Sequence, residues 1–165
     1  LGQRGFKVSA GQDDDDFPIC AMKLGELRVD FIPDDERVLG FSNRWYKGAV
    51  ATTTVCVLDD EITINLVNPV YFIATKLEAY KGRGRSDALG SRDIEDILNL
   101  VDGRPELLHE IHSASAEIRA YINLEIARLL DDANFEYAVA SQSLGSKDRE
   151  ELLFERLEEL AKGHA

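Results

Sequence analysis

The spacing of apolar positions changes along the chain, from strand-like runs before residue 69 to a helical period after it. Phe17–Leu24 and Leu27–Ile32 flank Gly25-Glu26, a two-residue link of the kind that closes a hairpin. Ala51–Leu58 and Glu61–Val67 flank Asp59-Asp60 in the same manner. Asn68 is a good N-cap and Pro69 a good first helical residue, after which Phe72, Ile73, Lys76, Leu77 and Tyr80 follow the 3.6-residue period. Gly82-Arg83-Gly84-Arg85-Ser86 ends that helix in a basic loop. Ser91 is placed to cap the next one, whose stripe is Ile94, Ile97, Leu98 and Val101 and whose stop is Gly103 with Pro105. Pro105 opens a short helix, Ile118–Leu130 forms a longer one, and Lys147–Leu160 carries Leu152, Leu153, Leu157 and Leu160 on one face. The pattern predicts one α+β domain over 1–165, strand-rich over 1–68 and helical over 69–165.

Composition narrows the class. A 165-residue chain that is 44% hydrophobic and 30% charged is long enough to bury a core without staples. Its apolar runs fall far short of a bilayer span, and no signal segment opens the chain. A cytoplasmic protein with no membrane partner is expected. Cys20 and Cys56 lack metal-type spacing and read as reduced core residues. The net charge of −12 opposes bulk binding of nucleic acid, so a nucleotide site would have to be a local basic patch.

Several residues could carry chemistry. In Leu27–Ile32, alternation puts Arg28, Asp30 and Ile32 on one face, with Val29 and Phe31 on the other. Asp30 is then either an edge-strand carboxylate paired with Arg28 or water, or a metal ligand. Lys76, Lys81, Arg83 and Arg85, followed by Arg92, make a locally positive segment. A glycine-punctuated basic loop suits the oxygens of a triphosphate, because arginine binds them bidentately and glycine permits close backbone approach. Asp93 and Asp96, at i and i+3, share a helix face and could orient those cations. A solvated basic loop with surface ion pairs is the plainer reading. Gly40–Tyr46, with Trp45, suits either a base-stacking loop or a packed hydrophobic corner. Asp13–Asp16 reads as a solvated turn. His109 and His112 read as solvated helix residues rather than metal ligands.

Val29–Pro33, Leu39–Tyr46, Ala74–Gly84, Asp93–Ile97 and Val101–Arg104, taken in order, resemble the bacterial nucleotidyltransferase-like proteins grouped with the AbiEii/AbiGii abortive-infection toxins. The resemblance implies a polymerase-β-like nucleotidyltransferase fold, a small mixed sheet packed by helices. It also implies transfer of a nucleoside monophosphate from an NTP, assisted by Mg²⁺ held on three carboxylates, with a cognate antitoxin as a possible partner. By the same resemblance Asp30 is catalytic and the third metal carboxylate. Lys76 with Lys81 and Arg83 faces the nucleotide, and Asp93 and Asp96 match a later helical motif. No Gly-Ser turn followed by Asp-x-Asp precedes Asp30 here; Asp13–Asp16 meets Asp-x-Asp in letters but has no such turn at the right distance before it. The expectation is therefore conditional: a transferase if a front end ahead of Leu1 supplies those ligands, and otherwise a catalytically inactive binding module of the same fold. Self-association through the leucine face of the last helix is a third reading.

Overall fold

The computed structural model describes residues 2–8, 21–33, 35, 37, 42–83 and 87–163. Asp13–Asp16, Cys20, Gly40, Phe41 and Arg85 lie outside the described residues. The chain divides into two compact units, Leu1–Ser42 and Asn43–Ala165.

The first unit holds a 3-10 turn at Gly2–Arg4 and strands β1 (Lys7–Val8), β2 (Ala21–Leu24) and β3 (Leu27–Asp30). They form an antiparallel sheet in the order β1-β2-β3. The expected hairpin closes at Gly25-Glu26, where Gly25 takes φ 59, a conformation that side-chain-bearing residues disfavour. Its register sets Ala21 opposite Asp30 and Lys23 opposite Arg28.

The second unit begins with a helix that the pattern did not announce, α1 (Tyr46–Ala51). Its last turn takes up Ala51, and the Thr52 hydroxyl donates back to the Gly48 carbonyl at 2.8 Å. The strand expected from Ala51 therefore starts later, as β4 (Thr54–Val57), antiparallel to β5 (Thr63–Leu66). Helices follow as α2 (Pro69–Gly82), α3 (Arg92–Gly103), α4 (Leu107–His112), α5 (Ala116–Leu130), α6 (Phe135–Gln142) and α7 (Lys147–Lys162). Both predicted caps form: Asn68 Oδ1 accepts from the Val70 N–H at 2.9 Å, and Ser91 Oγ from the Ile94 N–H at 3.4 Å.

The α+β class is present, and among the described residues its sheets are antiparallel instead of mixed. Among the described residues the strands make two separate antiparallel sheets, because each hairpin closes on its sequence neighbour. The core of the second unit is helical. Ile73 and Leu77 of α2, Ile94 and Ile97 of α3, Ile122 and Ile126 of α5 and Val139 of α6 are all buried, and they pack with α7. Leu153, Leu157 and Leu160 are the α7 contribution to that core, which removes the last helix as a self-association surface. Only Leu152 of that stripe stands out, 39% exposed.

Arginines tie the ends of α3 to its neighbours. Arg156 Nη1 donates to the carbonyls of Val101 and Asp102 at 2.7 Å each, satisfying acceptors that a helix C-terminus leaves open. The Asp102 carboxylate pairs with Arg149, and Arg104 forms a two-bond fork with Glu110 at 2.7 and 2.6 Å. The Val101–Arg104 motif thus acts as a joint between α3, α4 and α7.

Candidate functional site

Helix periodicity decides which of the basic residues can act together. Lys76 and Arg83 are seven residues apart, nearly two full turns, and share one face of α2 or its C-cap. Lys81 is five residues from Lys76 and is rotated about 140° away. Lys76 and Arg83 accordingly meet α3, whereas Lys81 does not.

The carboxylate of Asp93 is 6% exposed, in the first turn of α3 where the helix dipole favours negative charge. Lys76 Nζ lies 3.4 Å from Asp93 Oδ1 and 2.5 Å from Asp96 Oδ2. Arg83 Nη1 pairs with the other oxygen of Asp93. The Phe72 ring, one turn before Lys76, sits 5.5 Å from its ammonium. Four of the residues singled out for nucleotide binding therefore converge, two cations against two carboxylates. The side chains of Lys76, Asp96 and Arg83 are 26%, 41% and 71% exposed, so one side of the cluster is open to solvent.

Lys81 belongs to a different group. Its Nζ is 3.7 Å from Glu78 Oε2 and 3.9 Å from Glu125 Oε1, on the side of α2 that meets α5. There the Tyr121 hydroxyl donates to Glu78 Oε2 at 2.5 Å. Burial first, then this bond to a carboxylate, push the Tyr121 phenol far above its ordinary value.

Within the aromatic segment, Asn43–Trp45 form a packed corner. Trp45 is 6% exposed, with its ring 5.0 Å from Tyr121 and 6.4 Å from Tyr71. Asn43 fastens it, its Nδ2 donating to the Thr75 carbonyl at 2.7 Å and its Oδ1 accepting from the Trp45 N–H at 3.1 Å. Arg44 lies 4.8 Å over the Trp45 ring and pairs with Glu117 at 3.1 Å. No aromatic face of Trp45 is left for a base.

Asp30 lies in the first unit, at the end of β3. Arg28 Nε donates to its Oδ1 at 3.2 Å and Nη2 to its Oδ2 at 3.4 Å, one of the alternatives that alternation left open. Both carboxylate oxygens are engaged. No group of three or more His, Cys, Asp or Glu among the described residues could hold a metal ion. Among the described residues Asp30 is not joined by the further carboxylates that the expected Mg²⁺ site requires. Cys56 is a free thiol, half-buried in the β4–β5 hairpin instead of in the core. Among the described residues no helix is long and apolar enough to cross a membrane.

No family model, curated protein or solved structure matches this chain.

Proposed function

We propose that this chain is the body of a nucleotidyltransferase-like protein, and that its own contribution is a seat for the phosphates of an NTP on Lys76 and Arg83. The convergence of Lys76, Arg83, Asp93 and Asp96 at the α2–α3 junction carries this reading. Buried Asp93 holds the two cations in a fixed orientation, and a polyphosphate approaching from the open side meets a guanidinium and an ammonium already in place. Transfer of a nucleoside monophosphate belongs to this reading only together with metal-holding carboxylates beyond Asp30. The acceptor would be reached in the cytoplasm, and a cognate antitoxin is the partner the family resemblance implies.

Calorimetric titration with ATP, GTP, CTP and UTP, with and without Mg²⁺, tests the seat. Binding is expected to fall at least tenfold in Lys76→Ala and to be retained in Lys81→Ala, which lies on the other face of α2. Equal affinity in wild type and Lys76→Ala would end the assignment.

A second reading is favoured by the charge count. The cluster is neutral, two cations to two carboxylates, so it serves equally as an ion clamp between α2 and α3 in a catalytically inactive binding module. Under that reading Lys76→Ala lowers stability and no nucleotide binds to either form.

A further inference from the structure

The β4–β5 hairpin is an ordered element whose apolar residues are left in water. Its turn is built: Asp59 Oδ1 accepts from the N–H groups of Glu61 and Ile62 at 2.9 and 2.8 Å, and the Leu58 N–H donates to the Ile62 carbonyl at 2.9 Å. No described helix packs against it to an extent comparable with the pairs that build the body. The register places Cys56 opposite Ile64 and Thr54 opposite Leu66, so Cys56, Leu58, Ile62, Ile64 and Leu66 share one face. Leu58, Ile62, Ile64 and Leu66 are 60, 51, 38 and 49% exposed. Val55 and Val57, at 66 and 69%, stand on the opposite face. A two-stranded hairpin is marginally stable in water by itself, and uncharged exposed strands are a template for pairing.

We infer that this hairpin is a self-association surface, its Cys56–Leu66 face stacking on the same face of a second copy across a two-fold axis. Composition selects this face, since the opposite one carries Thr63 and Asn65 beside its two valines, and charge selects the hairpin. The chain carries −12, which opposes approach of a second copy. Thr54–Val57 and Thr63–Leu66, however, contain no acidic or basic side chain. The acidic residues Asp59, Asp60 and Glu61 sit at the tip, and an antiparallel two-fold arrangement sends the two tips to opposite ends. Such a surface is self-complementary, as a two-fold interface requires. Two hairpins stacked about 10 Å apart make a small sandwich of the kind that stabilises paired sheets. The area sets the strength. The face offers on the order of 400 Å² per copy, about half the ~800 Å² of a standard interface, so the dimer is weak and in exchange.

Sedimentation equilibrium of this chain from about 1 to 200 μM, in low salt and in about 0.5 M NaCl, tests the inference. The mass is expected to rise from one copy towards two over that range. Added salt should shift the midpoint to lower concentration, because it screens repulsion between the acidic bodies. Ile64→Lys, on the stacking face, should hold the protein monomeric throughout. Val55→Lys, on the other face, should leave association within about threefold of wild type. No hairpin residue belongs to the buried core cluster, so both variants keep the helical body, which circular dichroism checks. A monomer at every concentration, a dimer unaffected by Ile64→Lys, or equal loss in Val55→Lys would each overturn it.

Discussion

The helical body and the β4–β5 hairpin use similar apolar residues to opposite effect. Ile97, Ile122 and Leu157 are fully buried, whereas Ile62 and Leu58 are more than half exposed. The difference lies in geometry. An amphipathic helix has one apolar stripe, and six helices from α2 to α7 can turn their stripes towards a shared interior. A two-stranded ribbon has two faces and two open edges, and it can cover none of them alone. Burial in this molecule therefore follows element type and partner supply, not residue hydrophobicity.

The sharpest way to break this comparison is to make the same deletion in both regions. Leu157→Ala opens a cavity in the core and is expected to cost about 2–5 kcal/mol. Leu58→Ala removes an already exposed side chain and should shift the monomer by less than about 0.5 kcal/mol. Urea unfolding at low micromolar concentration measures both, and comparable losses would mean that the hairpin is part of the core.

A smaller effect is expected where α1 meets the body. A Cβ added at Gly48 would come within 2.2 Å of the Tyr71 ring, which in turn packs edge-on against Trp45. Gly48→Ala should cost about 1–3 kcal/mol through overpacking and should move the Trp45 fluorescence maximum. An unchanged emission spectrum and unfolding midpoint would show that Tyr71 yields freely.

The smallest effect is electrostatic. The Arg104 fork holds the Glu110 carboxyl below its ordinary value of 4.5, outweighing partial burial. A carboxyl whose folded pKa is depressed stabilises the fold above its unfolded pKa, and that contribution fades as pH falls through the folded one. Wild type should therefore lose up to about 1 kcal/mol relative to Glu110→Gln below roughly pH 4 and keep its advantage near neutrality. Parallel stability curves for the two proteins from pH 7 to 3 would remove the fork as a stabilising contact.

Much of the helical body was legible because its signals are local. Asn68-Pro69 and Ser91 start helices through bonds to their own second or third neighbours, and the 3.6-residue period names Ile73, Leu77, Ile94 and Ile97 as inward. The Gly25-Glu26 and Asp59-Asp60 turns were legible for the same reason. Helix α1 was not, because Tyr46–Ala51 is short, with Gly48 in its middle, and the Tyr71 ring that packs on Gly48 and Trp45 comes from a later helix. Helix α6 escaped notice too; Phe135, Ala138 and Val139 gain meaning only against α3 and α7.

The candidate site divides along the same line. The sequence alone placed Lys76 on the period of one helix and Asp93 and Asp96 one turn apart on the next, but it grouped Lys81 with Lys76 and Arg83, from which the structure separates it. Helical pitch is a local property, and it fixes angles within an element. Only the tertiary structure decided that these two faces meet, that Asp93 is buried between two cations, and that Trp45 is closed within a corner. Those outcomes depend on how helices pack, a balance over many side chains distant in sequence. Alternation likewise put Arg28 beside Asp30 on one strand face, while the structure brought no ring of carboxylates around Asp30 among the described residues. Metal sites need ligands converging from several elements, and no single stretch of sequence can specify that convergence.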